Sequence, residues 1–401
     1  MITYSYTAKN PKTGQIVHST VQADSEAAAA KLISGEGLIA TNIQQGSEGF
    51  LPGLGGNKVK SKDRVLFSRQ LSTLINAGLP LLQALRSVSR TITSKPFKVV
   101  LSQVIGDVEG GSALAKAMGK HPKVFNRMYI SLIEAGESSG TLDRALERLA
   151  IQQEKEADLQ SKIRGAMMYP LVITIVMIAV VIFMVVTVIP QVGNMYQEMG
   201  GGKIPVPTMV MMWLADFIIK RWYVVVAILV VVGFSTTKWA RTGGGKEVID
   251  KMKLKMWPTA TLFQKIYMAR FTRTASTLVA AGVPLLQVLD ISSEAVNNIH
   301  VERAIMRAGE KVKGGKSLAD AMEGDENFSD MVPNMIGIGE QSGALEQMMA
   351  KIADYYEKET DDAIAAISTI IEPVMMVMLG LIAIFIVVAV LLPIYSLAGG
   401  L

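Results

Sequence analysis

Two nineteen-residue stretches without a charge decide most of what this chain can become. Leu171 to Ile189 lies between Pro170 and Pro190, and Val374 to Leu392 lies between Pro373 and Pro393. As helix, nineteen residues rise about 28 Å, close to the ~30 Å hydrocarbon core of a bilayer. Lipid offers the backbone no hydrogen-bond partner, so a crossing segment must be a helix or part of a closed barrel. Runs this long and uniform predict two transmembrane helices and commit the chain to a mostly α fold.

A third span is shorter. Trp222 to Thr237 is apolar, opens on Trp222-Tyr223 and has Trp239 at its far end, which suits the two membrane interfaces. The preceding Thr208 to Ile219 is also apolar. However, Asp216, Lys220 and Arg221 would be costly at the bilayer centre. This stretch predicts an interfacial helix within an external loop, with Lys220 and Arg221 reaching outward. Basic residues orient the spans. Nine lie before the first span or after the second: Lys155, Lys162, Arg164, Lys238, Arg241, Lys246, Lys251, Lys253 and Lys255. The connecting loop holds three, Lys203, Lys220 and Arg221. The asymmetry predicts a cytoplasmic N-terminus, cytoplasmic helical units and an external C-terminus.

The chain repeats itself. Phe67 to Leu85 and Phe271 to Leu289 agree at twelve of nineteen positions, 204 residues apart. Gly136-Glu137-Ser138-Ser139-Gly140 then pairs with Gly339-Glu340-Gln341-Ser342-Gly343 at an offset of 203. Glu154, Glu156 and Asp158 pair with Glu357, Glu359 and Asp361, and Pro170 and Pro190 pair with Pro373 and Pro393. Each copy is thus a helical unit feeding into a span. Apolar Val65, Leu66, Leu71, Leu74 and Ile75 recur at helical spacing. Gly78 and Gly282 suit left-handed caps, and Pro80 and Pro284 suit the first turn of the next helix. Gly136 to Gly140 reads as another turn, with Ser139 as the N-cap of a helix that runs from about Thr141 into the first span.

These signals predict two repeated cytoplasmic helical-bundle domains of about six helices each, three transmembrane helices and a small α+β N-terminal module. The module is residues 1–45 and the glycine-rich linker 46–60. The first bundle is 61–168, the first span 169–191 and the external loop 192–221. The second span is 222–238, the second bundle 239–371, the third span 372–396 and the tail 397–401. In the module, Ile2–Thr7 and Ile16–Val21 alternate like strands around a turn cluster at Asn10 to Gly14. Asp24 caps an alanine-rich helix, and Leu38–Ile43 reads as a third strand.

Composition removes several functions. A net charge of +5 over 401 residues is too small to argue for nucleic acid. No cysteine is present, which rules out disulfides, thiolate metal sites and cysteine nucleophiles. Met1 to Thr7 lacks the blocks of a signal peptide, so the first domain is expected to stay where it is made.

With its doubled AG[LV]P-L-L-Q and G-E-x-S-G motifs, its Tyr169-Pro170 and Glu372-Pro373 junctions and its three spans, the chain resembles the inner-membrane platform proteins of type II secretion and type IV pili, the PilC/GspF family. The likeness covers essentially the whole chain. It implies a non-enzymatic membrane scaffold without cofactor. Members of that family sit in the inner membrane, form homo-oligomers (a dimer is favoured here), contact a cytoplasmic hexameric ATPase and other inner-membrane assembly proteins, and help move pilin or pseudopilin subunits into a filament. The motif residues Gly78, Pro80, Gly136, Glu137, Gly140, Pro170, Gly282, Pro284, Gly339, Glu340, Gly343, Glu372 and Pro373 are then candidate partner contacts. Glu372 departs from the duplication, because Tyr169 stands at its place in the first copy.

Glu310 to Ser317 ends in GKS like a phosphate-binding loop, but the first glycine is misplaced and a charged helix precedes it where a buried strand is required. His18, His121 and His300 have no metal-type spacing. The carboxylates of Glu154, Glu156 and Asp158 and of their repeats could offer oxygen ligands to calcium or magnesium, or simply form a solvated helix face. A solute transporter or channel is the alternative function. The first and third spans lack the ionisable groups that such pathways usually carry. Finally, residues 61–168 carry 16 basic and 10 acidic residues, whereas 239–371 carry 15 and 18. The two copies therefore predict two differently charged docking surfaces.

Overall fold

The structure, a computed structural model, describes residues 59–188, 220–256 and 259–398 continuously, together with strand residues 2–9, 16–23 and 39–45 and scattered helical positions between 28 and 34 and between 190 and 217. Met1–Lys58 and Val59–Leu401 are separate units. In the first, β1 (Ile2–Lys9) lies between β2 (Ile16–Ala23) and β3 (Ile39–Gln45), antiparallel to both. Ile2 faces Ala23 and Lys9 faces Ile16; the β1–β3 register slips between Thr7 and Ala8. The helix expected after Asp24 and the linker 46–60 fall mostly outside the described residues.

In the second unit the turn signals divide the chain into helices. The first copy comprises α1 (Ser61–Asn76), α2 (Leu81–Thr91), α3 (Lys95–Glu109), α4 (Leu114–Gly119), α5 (Arg127–Ser139) and α6 (Leu142–Phe183). A π-helical turn, Met184–Val188, prolongs α6. Between the copies lie α7 (Trp222–Ala240) and α8 (Gly243–Lys255) among the described residues. The second copy comprises α9 (Ala260–Ala280), α10 (Leu285–Val296), α11 (Ile299–Lys313), α12 (Leu318–Met322), α13 (Met331–Ser342) and α14 (Leu345–Ala398). Among the described residues three helices, containing α6, α7 and α14, are long and apolar enough to cross a membrane. The interfacial helix at Thr208–Ile219 lies largely outside the described residues; within it Trp213 stacks on Phe217 with centroids 5.8 Å apart.

Pro170 and Pro373 break neither long helix. Each removes one backbone donor from its helix, and the helix nevertheless continues.

The first copy packs around aromatic rings. Phe67 meets Phe97 edge-on at 5.4 Å, Phe125 meets Tyr129 at 5.0 Å, and the Tyr129 hydroxyl lies 3.1 Å from that of Ser68. The second copy keeps Phe271 against Phe328 at 6.2 Å. The two helical units are joined across a shared core. One apolar cluster runs from Phe67 through Leu132 and Leu149 into Phe271 and Ile352. The cause is that α5 and α6 pack directly against α9, α10 and α14.

Candidate functional site: the seam between the two copies

The duplicated motifs hold helix ends. Gly78 and Gly282 take φ of +82° and +79°, and Gly140 and Gly343 take +69° as left-handed caps. Pro80 and Pro284 stand one residue before α2 and α10, at the N-cap and not in the first turn. A Cβ on Gly136 would come within 2.5 Å of the Ala145 Cβ, and one on Gly339 within 3.0 Å of the Leu345 Cα. These glycines let α6 and α14 turn back closely on α5 and α13. Glu137 accepts the backbone N–H groups of Leu114 (2.5 Å) and Ala115 (2.9 Å); Glu340 does the same for Leu318 (2.7 Å) and Ala319 (3.1 Å). Each glutamate thus satisfies the orphan donors of the short helix α4 or α12. Ser139 is not an N-cap. It ends α5, and its hydroxyl donates to the Ala135 carbonyl at 2.7 Å. Pro170, Glu372 and Pro373 lie in the long helices, away from these turns, with Glu372 exposed.

The acidic sets lie beside α1, α9 and the opposite long helix, and their charge is met by cations. Lys155 donates to Glu357 at 2.9 Å, and Lys162 bridges Asp158 and Asp361 at 2.8 Å each. Arg270 holds Glu156 at 2.8 Å, Lys265 holds Glu359 at 2.6 Å, and Arg69 grips Glu154 through both guanidinium edges. Arg273 joins Glu357 and Asp354. All six carboxylates are therefore bonded to Lys or Arg, and Glu156, Asp158, Glu357 and Asp361 line a cavity of about 80 Å³. Neither a free metal cage nor a merely solvated face describes them; they form an ion-pair seam. Their basic partners were missed in the sequence. The signal for them is Arg69 and Arg273, which the duplication also repeats. On the far side of the seam, Arg127 of α5 donates to Asp290 and Glu294 of α10, each at 2.7 Å.

Toward the membrane the two long helices draw apart. Val172, Val176, Val180, Leu379 and Ala383 help line a gap of about 510 Å³ with almost wholly apolar walls. They meet again where Val185, in the π-helical turn, packs with Ile386; both are buried.

Lys316 and Ser317 follow helix α11, and Ser317 caps α12 by accepting the Asp320 N–H at 3.0 Å. The geometry there is that of a helix-to-helix turn. His300 Nε2 lies 3.2 Å from the Glu247 carbonyl, one more contact between α11 and α8.

Comparison with known proteins follows the same duplication. The family model for type II secretion system protein F matches twice, at residues 67–190 and 271–393. The type IV pilus assembly protein PilC of Thermus thermophilus is 35% identical over 413 residues, covering 100% of this chain and 99% of that protein. PilC of Myxococcus xanthus is 38% identical over 351 residues, covering 88% and 84%. The type II secretion system protein F of Pseudomonas aeruginosa is 30% identical over 403 residues, covering 99% of each.

Proposed function

Because this chain belongs to the type II secretion system protein F family, we propose that it is the inner-membrane platform on which a type IV pilus or a type II secretion pseudopilus is assembled. It couples a cytoplasmic hexameric ATPase to the insertion of pilin or pseudopilin subunits. One observation carries this reading: in each copy the last helix of the bundle is also a membrane span. α6 has 42 residues and α14 has 54, so they extend about 63 Å and 81 Å. A displacement of the helical units has no loop in which to dissipate before it reaches the bilayer.

On this reading the N-terminus, residues 61–168 and residues 239–371 are cytoplasmic, and the C-terminus is external. The chain crosses at 169–191, 222–238 and 372–396. The helix ends held by Gly78, Glu137, Gly282 and Glu340 lie within the surface open to the ATPase. The apolar gap between the spans suits the apolar segment of a filament subunit. Such walls are unsuited to a solute path, which argues against a transporter. The platform works as a homo-oligomer, with a dimer favoured.

The test is a flexible break. Four glycines inserted after Gly165 of α6 should leave membrane insertion and ATPase capture intact while abolishing filaments. Filaments at the unmodified level would sink the coupling mechanism.

A further inference from the structure

The contact between the copies runs one way. α10 packs on α5, and Arg127 at the start of α5 meets Asp290 and Glu294. The duplication carries Asp290 and Glu294 onto Arg86 and Arg90 of α2, and Arg127 onto Asp330 at the start of α13. Every sign is exchanged. Yet α2 and α13 make no comparable contact within the chain, and Arg86, Arg90 and Asp330 are exposed. Arg86 bonds Glu109 of neighbouring α3. Arg90 and Asp330 form no ion pair among the described residues. Apolar surface is open there too: Ile338 of α13, the counterpart of half-buried Ala135, is 58% exposed.

We propose that a second copy of this chain docks at this place, its α2 face with Arg86 and Arg90 seated on α13 at Asp330 and Ile338. The contact repeats between chains what α10 and α5 make within one. The exchanged charges set the order. Arg127 repels Arg86 and Arg90 of another first copy, and Asp330 repels Asp290 and Glu294 of another second copy. Only a first copy on a second copy is attractive. The geometry also suits a membrane. Lys155 meets Glu357 and Val185 meets Ile386, each within two residues of its own counterpart, so α6 and α14 run parallel in near register. The step between copies is therefore a rotation about the span direction. Repeating it in a second chain keeps all spans in one bilayer and can close into a ring.

This inference rests on the oligomer proposed above and names its surface. The test uses the full-length chain in its own membrane, where the lack of cysteines gives a clean background. Arg90→Cys in one tagged chain and Asp330→Cys in a differently tagged chain should form a mixed disulfide on mild oxidation. Arg90→Cys with Arg127→Cys, a first copy on a first copy, should not. Separately, Arg86→Glu with Arg90→Glu should weaken association about ten-fold or more at low salt, and adding Asp330→Arg should restore it. An oligomer that shows neither the mixed disulfide nor the rescue overturns this interface while leaving the oligomer reading intact. A chain that stays monomeric overturns both.

Discussion

Glu137 accepts the backbone N–H of Leu114 at 2.5 Å, and so ties the end of α5 to the start of α4, 23 residues earlier. Glu340 repeats the bond to Leu318 at 2.7 Å. The most conspicuous acid of the repeated motif therefore has a job inside the fold. Glu137→Gln should lower stability by about 1–2 kcal/mol, since one of the two N–H groups loses its acceptor and the other keeps only a neutral one. Thermal unfolding of the detergent-solubilised chain reads this, and filament yield should fall only as far as protein abundance falls. A variant of unchanged stability that makes no filaments would instead assign Glu137 to a partner.

The two glycines that flank this glutamate should respond differently. Gly136→Ala puts a methyl group within 2.5 Å of Ala145 and pushes α6 off α5, at a cost of roughly 1–3 kcal/mol. At Gly140 no atom crowds the new Cβ, so Gly140→Ala pays only for its left-handed φ of +69°, about 1 kcal/mol. Midpoints ranked in the reverse order would contradict the packing.

Much of this was legible before the fold. The left-handed turns at Gly78 and Gly282 follow from Ala-Gly-x-Pro, because only glycine takes that φ freely. The spans follow from uncharged runs whose solvation has one solution. What could not be read is pairing between distant helices. Glu156 finds Arg270 across 114 residues, and nothing in the local charge pattern says which helix will lie opposite. For the same reason the shared core between the two helical units was not legible. Ser139 was misplaced because a serine next to glycine suits a helix start and a helix end alike. The exchange of Arg127 for Asp330 was visible in the duplicated sequence but had no meaning until Arg127 was seen on Asp290.

Asp325 gives a pH dependence with a definite sign. Burial pushes its carboxyl up, but the hydrogen bonds from Arg307 and Asn327 outweigh that and hold it below the usual carboxylate range. Its folded value lies under its unfolded one. The stability it contributes is thus present above the unfolded pKa of about 3.9 and is lost as pH falls through the folded value. Asp325→Asn should melt below the parent at pH 7, and the gap should close on acidification below about pH 4. A gap that widens in acid would mean the carboxyl is not held down.

Glu372 stands exposed on α14 at the head of the third apolar run, where the first copy has Tyr169. Nothing in the fold is bonded to its carboxylate among the described residues. Glu372→Gln should therefore insert and melt like the parent, and yet lower filament yield several-fold. Normal filaments would leave this acid as a surface residue of the membrane boundary.

The spans offer the sharpest check on the membrane half. Val185 and Ile386 are the buried residues where α6 and α14 meet, while Val176 and Leu379, at matching levels of the two helices, line the apolar gap. In this cysteine-free chain, Val185→Cys with Ile386→Cys should give an intramolecular disulfide in isolated membranes. Val176→Cys with Leu379→Cys should give little, because two sulfurs cannot bond unless their Cα atoms come within about 7 Å. Cleavage between the copies followed by non-reducing electrophoresis separates the linked from the unlinked form. Should the second pair link as readily as the first, the gap is closed in lipid, and an apolar segment would have to part the spans before it could enter.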